Sequence, residues 1–194
     1  MKVAREFYNR NALIVAQEVL GKVLVHNTNE GITKGRIVEV EAYNGTIDKA
    51  AHSYKNLYTN RTKIQYGEGG YAYVYLIYGM HICMNIVVNK PKMPEVLLIR
   101  ALEPVYGLDL MKKRRNITDV KSLCNGPGKL SKAMGIDKSN YGTDLCDDVL
   151  YLEDAPSLPK EKIITTKRIN IDYAEEAKDF LWRFIIKDNP FVSR

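Results

Sequence analysis

Residues 71 to 88 constrain the fold more than any other stretch. Two apolar runs, Tyr71 to Ile77 and Ile82 to Val88, are separated only by Tyr78-Gly79-Met80-His81, which is the spacing of a short antiparallel hairpin. Further strand-like segments lie on both sides: KVLVHN from Lys22, GRIVEVEAY from Gly35, Glu95 to Ala101, and Lys162 to Asn170. The first two read as a hairpin turning at Asn27 to Gly31. Helical patterns are fewer. NALIVAQEVL puts Leu13, Ala16 and Leu20 on one face, with Asn11 as cap and Gly21 as stop. Leu108 to Arg115 and Lys129 to Met134 predict two more, and Asp172 with Glu175 predicts a capping box for a helix burying Ala177, Leu181, Phe184 and Ile185. The polar stretch from 46 to 70, with His52, Lys55, Arg61 and Lys63 before a glycine-rich end, predicts a long functional loop.

At 194 residues the chain fits one domain, expected to span 1–194, and it has no internal repeat. With 45% hydrophobic and 27% charged residues, disorder, collagen and coiled coil are excluded. No apolar stretch reaches the roughly 18 residues of a membrane span, and the charged start MKVAREFYNRNAL is unlike a signal peptide. Cys83, Cys124 and Cys146 form no CxxC pair, so neither a disulfide framework nor a zinc ribbon is expected, and the reducing cytoplasm is the expected home. Lys and Arg outnumber Asp and Glu by 29 to 23, a net +6 that suits a polyanion through counterion release. Tyrosines number 13 against 4 Phe and 1 Trp, a composition suited to stacking on bases and equally common in plain strands.

Along Arg36 to Tyr43 a period of two places Ile37, Glu39, Glu41 and Tyr43 on one strand face. Their alpha carbons recur roughly every 6.5 Å, and carboxylates that close influence each other's pKa, which suits one of them to acid or base work. Because acidic side chains are mostly solvated, the pattern alone favours an exposed face paired with lysines. His52 stands in a loop with no second histidine at ligand spacing, and no metal site is expected. No GxGxxG, GxxxxGK[ST] or GxSxG occurs, so no dinucleotide cofactor or P-loop chemistry is expected. The hairpin tip, with Tyr78 and Met80, suits either a wedge between stacked base pairs or an ordinary contact surface. The loop Cys124 to Gly128 opens a helix whose free amides suit a phosphate.

The segments RIVEVEAY, AAHS, YVYLIYGMHICMNIVV, LLIRALEP and CNGPGKL, in this order over residues 36 to 130, resemble the alkyladenine (3-methyladenine) DNA glycosylase family, bacterial type. The resemblance implies an α+β domain around a curved antiparallel sheet with flanking helices and a protruding DNA-inserting hairpin. It implies no cofactor, and as partner double-stranded DNA containing damaged purines, met by a monomer. The implied activity is monofunctional: the damaged purine is flipped out of the duplex and its N-glycosidic bond is hydrolysed. By matching positions, Glu41 is the general base; Tyr43, His52, Tyr75 and Asn85 form the base pocket; Tyr78, with Met80, intercalates; Arg61, Arg100 and Lys129 contact phosphates. The chain departs from the family at Asn60, where a proline is usual, and at Leu57, where vertebrate members carry arginine.

Two rivals remain at the level of sequence. A non-catalytic nucleic-acid-binding module would use the same cations and tyrosines without needing Glu41. A carbohydrate glycosidase would use Glu39 and Glu41 as its pair, although such pairs usually come from different strands and one Trp offers few sugar platforms.

Overall fold

The computed structural model describes residues 1–193. In chain order they form α1 (Arg5–Tyr8), α2 (Ala12–Glu18), β1 (Val23–Thr28), β2 (Gly31–Asn44), β3 (Ala72–Ile77), β4 (His81–Val88), β5 (Glu95–Tyr106), α3 (Leu108–Arg115), α4 (Pro127–Met134), β6 (Leu150–Glu153), β7 (Ile163–Thr166) and β8 (Arg183–Ile186). All eight strands join one open, curved antiparallel sheet in the order β3-β4-β5-β2-β1-β6, with β8 paired to both β2 and β7. The fold is α+β, and the hairpin read from residues 71 to 88 is β3–β4. No helix among the described residues is long and apolar enough to cross a membrane.

Strand β2 organises the molecule. Along one edge it pairs with β5; along the other it pairs first with β1, over residues 31–36, and then with β8, over 39–41. The second half of β2 is therefore an interior strand, which buries whatever side chains it carries. Val40, Ala42, Ile86, Val88, Leu97 and Ile99 face the main core, where α2 contributes Val15 and Ala16 and α4 contributes Leu130, Ala133 and Met134. Around Glu39 the register with β5 is irregular. Both strands change parity there: Ile37 and Leu102 face the core on one side, Val40 and Ile99 on the other. This corrects the simple alternation, since Ile37 joins the core instead of sharing a face with the carboxylates. An irregularity of this kind re-aims the side chains beside it.

The helices start and stop for local reasons. Asn11 Oδ1 accepts from Leu13 N at 3.0 Å, and the buried Glu95 carboxylate accepts from Ala12 N at 2.7 Å, so two free amides of α2 are satisfied. Pro127 opens α4 where its missing N–H costs nothing. The segment after Asp172 departs from expectation. Asp172–Asp179 is a 3-10 turn broken at Glu175, whose φ is +48°, with no capping bond from Asp172. Ala174 and Ala177 are buried, three apart as this tighter helix places one face. Leu181 is exposed, and Phe184 and Ile185 lie in β8. The unpaired edge of β2 decides the matter, because its backbone groups need a strand and β8 supplies one.

The basic end of α3 is also spoken for. Arg114 donates to Ala133 O and Thr28 Oγ1 and pairs with Glu30, while Arg115 donates to Leu123 O. These arginines fasten α3 to α4 and the strands below.

Candidate active site

The strand alternation that fills the core with one parity sends the other to the opposite face of the sheet. Tyr73 stands opposite Asn85, Asn85 opposite Leu98, Leu98 opposite Glu41, and Glu41 opposite Arg183, a row across five strands. Glu39 and Glu41 are both fully buried, which overturns the expectation of a solvated face. Their charges are met by arginines, not lysines. Glu39 Oε1 accepts from Arg100 Nε at 2.9 Å, Arg183 Nε at 2.7 Å and Ser193 Oγ at 2.8 Å, and its Oε2 accepts from Ser193 N at 2.6 Å. Glu41 Oε2 accepts from Tyr43 Oη at 2.8 Å and Arg100 Nη1 at 3.3 Å, and its Oε1 accepts from Ile169 N at 2.8 Å. Each carboxylate oxygen has room for about two donors. Glu39 thus takes four donors and Glu41 three, and the capacity left on Glu41 is on Oε1.

Arg100, which the resemblance gives to a phosphate, is 8% exposed, lines the cavity described below and bridges the two glutamates. Taking three charges out of water is costly unless they compensate one another, so its first duty is to the carboxylates.

Tyr43 is held from behind by residues that no motif announced. The Arg168 guanidinium lies over its ring at 4.6 Å and over Trp182 at 5.2 Å. Arg168 pairs with both oxygens of Asp48 and donates to Ala42 O and Ala177 O, each at 3.0 Å. Neither Arg168 nor Asp48 has any exposed side-chain surface. The next residue, Ile169, supplies the amide on Glu41. Burial first, and then the Glu41 charge, raise the Tyr43 hydroxyl well above its ordinary range, so it remains a donor to Glu41.

In front of this assembly lies a cavity of about 350 Å³, within the range of small-ligand sites. Tyr43, Arg100 and Ile169, the three groups that touch Glu41, all line it, so Glu41 stands just behind its wall. Tyr75, Asn85 and His52 line it as well, which brings the four pocket residues of the resemblance to one space. Asn85 Nδ2 donates to Tyr73 O at 3.1 Å, which fixes the amide and leaves its carbonyl free. The His52 ring stands edge-on to Tyr75, centroids 4.7 Å apart. Burial, and secondarily the Arg61 charge, push His52 down to about 4, so it is neutral near pH 7.

At the mouth, Tyr78 and Met80 are 74% and 71% exposed at the tip of β3–β4. Tyr78 and Gly79 both have positive φ, +52° and +69°, the arrangement of a primed hairpin turn. A bulky residue there is strained, and such strain concentrates at functional positions. Gly128 lets α4 approach closely, since a Cβ there would lie 3.1 Å from that of His81. Exposed Lys129 donates to Asn125 Oδ1 at 2.9 Å beside the helix start. Arg61 is exposed too, but its guanidinium stacks on Tyr75 at 4.6 Å and contacts His52, so it backs two residues of the pocket without lining it. Tyr173, 70% exposed, borders the mouth from the C-terminal segment and was not foreseen.

A family model described as methylpurine-DNA glycosylase matches residues 6–190. The chain belongs to that family. Among similar relatives, a protein of Alkaliphilus oremlandii is 54% identical, covering all of both chains. One of Natranaerobius thermophilus is 53% identical over all of this chain and 99% of its own length, and one of Clostridium novyi is 51% identical over all of this chain and 98% of its own. All three carry the provisional name 3-methyladenine DNA glycosylase. Arg168, Ile169, Arg183 and Ser193 were missed by sequence reasoning. The one available signal was an arginine next to isoleucine inside a strand-like run, where a charge needs a buried partner.

Proposed function

We propose that this family member is a monofunctional glycosylase acting on alkylated or deaminated purines in duplex DNA. Its cavity takes the flipped nucleobase, and Glu41 serves as the base for hydrolysis. The observation that carries the reading is the Glu41 carboxylate, buried against the cavity wall with one oxygen held by Ile169 N and the other by Tyr43 and Arg100. A mere binding module would gain nothing from two buried carboxylates, each of which is costly to desolvate. In the reaction, water attacks the sugar C1′ while the C1′–N bond breaks and its electron pair leaves with the purine. Glu41 takes the proton from water, and its charge stabilises the oxocarbenium character of the sugar. A cationic alkylated purine leaves without further help, whereas a neutral one must acquire a proton.

The surface around the mouth fits a duplex. Tyr78 occupies the space vacated by the nucleotide and replaces its stacking. The first amides of α4, with Lys129, offer a site for a backbone phosphate.

Glu41→Gln keeps the side chain's size and one acceptor oxygen but turns the other oxygen into a donor and cannot accept the proton. Single-turnover excision from a duplex with one 3-methyladenine-type lesion should fall by at least roughly a thousandfold, towards the upper range of acid–base contributions, while binding of the damaged duplex is retained. Glu39→Gln should act mainly through Arg100 and cost less. Near wild-type excision by the Glu41 variant refutes the mechanism, and the reverse ranking moves the base to Glu39.

A further inference from the structure

Behind His52 runs a chain of polar contacts that the hydrolytic reading leaves unused. Arg61 Nη2 lies 3.1 Å from His52 Nε2, and His52 Nδ1 lies 2.8 Å from Tyr73 Oη. A guanidinium has hydrogens to give and no lone pair with which to accept. The Arg61 contact therefore requires a bare Nε2, which makes the imidazole neutral and puts its one hydrogen on Nδ1. That hydrogen is donated to Tyr73. The tyrosine oxygen is thereby used as an acceptor, a role that the Arg61 and Gln65 side chains beside it also favour, and no hydrogen bond donated by Tyr73 to an acceptor is found among the described residues.

Tyr73 is 1% exposed and lines the cavity. Burial pushes its hydroxyl up to about 12, so it keeps its hydrogen near neutral pH. A buried donor with no protein acceptor is unfavourable unless a ligand meets it. The rings keep the chain aligned: Tyr73 and Tyr75 lie 5.3 Å apart, with Arg61 stacked on Tyr75.

We propose that Tyr73 recognises the base, its hydroxyl donating to an acceptor on the bound purine, and that Arg61 is a positioning residue that sets this polarity through the tautomer of His52. The proposal rests on the cavity being a base pocket. It gives the pocket a preference: a deaminated purine presents a carbonyl where adenine presents an amino group, so the hydroxyl favours the first and opposes the second.

Nitrogen NMR of the full chain with labelled histidine tests the Arg61 part without any DNA. The chain has 3 histidines, so the His52 signals are readily assigned by substitution. Wild type should show a protonated Nδ1 and an unprotonated Nε2. Arg61→Met should populate the other tautomer, and Arg61→Lys, which can still donate to Nε2, should restore the wild-type pattern. An Nε2–H tautomer in wild type, or an unchanged spectrum in Arg61→Met, overturns the positioning role.

Excision tests the Tyr73 part. Tyr73→Phe should slow single-turnover release of hypoxanthine about tenfold, the scale of one buried hydrogen bond, and leave 3-methyladenine, which keeps its amino group, within about twofold. Equal loss on both lesions overturns the recognition role. If wild type releases neither base, the pocket reading itself fails and Tyr73 loses its ligand, while the NMR result on Arg61 still stands.

Discussion

Replacing Asp48 by asparagine keeps the side chain's size and its bond to Ala50 N, and removes only its charge. The Arg168 guanidinium is then left buried without a counter-charge, with one of its two carboxylate acceptors turned into a donor. Both side chains have no exposed surface, and Arg168 Nε already lacks a partner, so the remaining carbonyls of Ala42 and Ala177 cannot compensate. Stranding one member of a buried pair costs about 3–5 kcal/mol. For a domain of this size each kcal/mol corresponds to roughly 2–4 °C, so Asp48→Asn should lower Tm by about 6–20 °C while leaving a folded protein to measure. Excision should fall in parallel, because Arg168 backs Tyr43 and the adjacent Ile169 amide holds Glu41. The double variant Asp48→Asn with Arg168→Met removes the stranded charge and should recover much of the lost Tm, since apolar replacement of a buried pair is often neutral. Its excision should stay low. Calorimetric melting and single-turnover kinetics on the two variants decide. A Tm loss below about 2 °C for Asp48→Asn would show that the pair is effectively solvated, and wild-type excision by the double variant would show that Tyr43 and Ile169 hold their places without Arg168.

Three further expectations follow from the mouth and the pocket. Tyr78→Ala removes a ring that is 74% exposed, so it should leave Tm nearly unchanged and weaken nucleotide flipping about tenfold, the scale of base–aromatic stacking, read by the fluorescence of etheno-adenine in a duplex. Unchanged fluorescence against wild type removes the wedge role. Lys129→Ala should reduce the slope of log affinity against log salt by about 0.9, one phosphate contact, whereas Arg114→Ala should leave it alone. His52 is pushed down to about 4, so between there and its ordinary value near 6.5 the unfolded chain binds more protons than the folded one. Stability due to His52 is then complete above about 6.5 and is lost as pH falls towards 4, by at most about 3 kcal/mol before solvent screening, and His52→Gln should flatten that part of a pH–Tm curve.

What could be read from the sequence was whatever depends on neighbours in the chain. The β3–β4 hairpin, the turn between β1 and β2, α2 with its Asn11 cap, and α4 after Pro127 all follow from periodicity and turn chemistry within a dozen residues. The same holds for the alternation that gathers Tyr73, Tyr75 and Asn85 on one face. Burial of Glu39 and Glu41 could not be read this way, since it depends on β8 arriving from beyond residue 180 to pair with β2. The misplaced helix after Asp172 has the same origin. Its apolar spacing suited an amphipathic helix, but the competing demand was an unpaired strand edge far away in sequence. Arg100 illustrates the point for charge: alternation puts it on the face of Leu98, opposite the core residues Leu97 and Ile99, but that two carboxylates from β2 would hold it there depends on pairing about sixty residues away in sequence.

This long-range closure also gives two chemically identical residues different surroundings. Glu39 and Glu41 are two apart on one strand, share Arg100, and are equally buried. The C-terminal segment distinguishes them. It sends three hydrogen bonds, one from Arg183 and two from Ser193, onto Glu39, and it sends one backbone amide, from Ile169, onto Glu41. The more heavily engaged carboxylate, Glu39, holds its neighbours in place, whereas Glu41, just behind the cavity wall with spare capacity on Oε1, is placed to orient a water and take its proton. The proposed assignment of base to Glu41 and anchor to Glu39 thus follows from where the C-terminal segment docks, and a change to Arg183 or Ser193, neither of which lines the cavity, should reach the chemistry through Glu39 and Arg100.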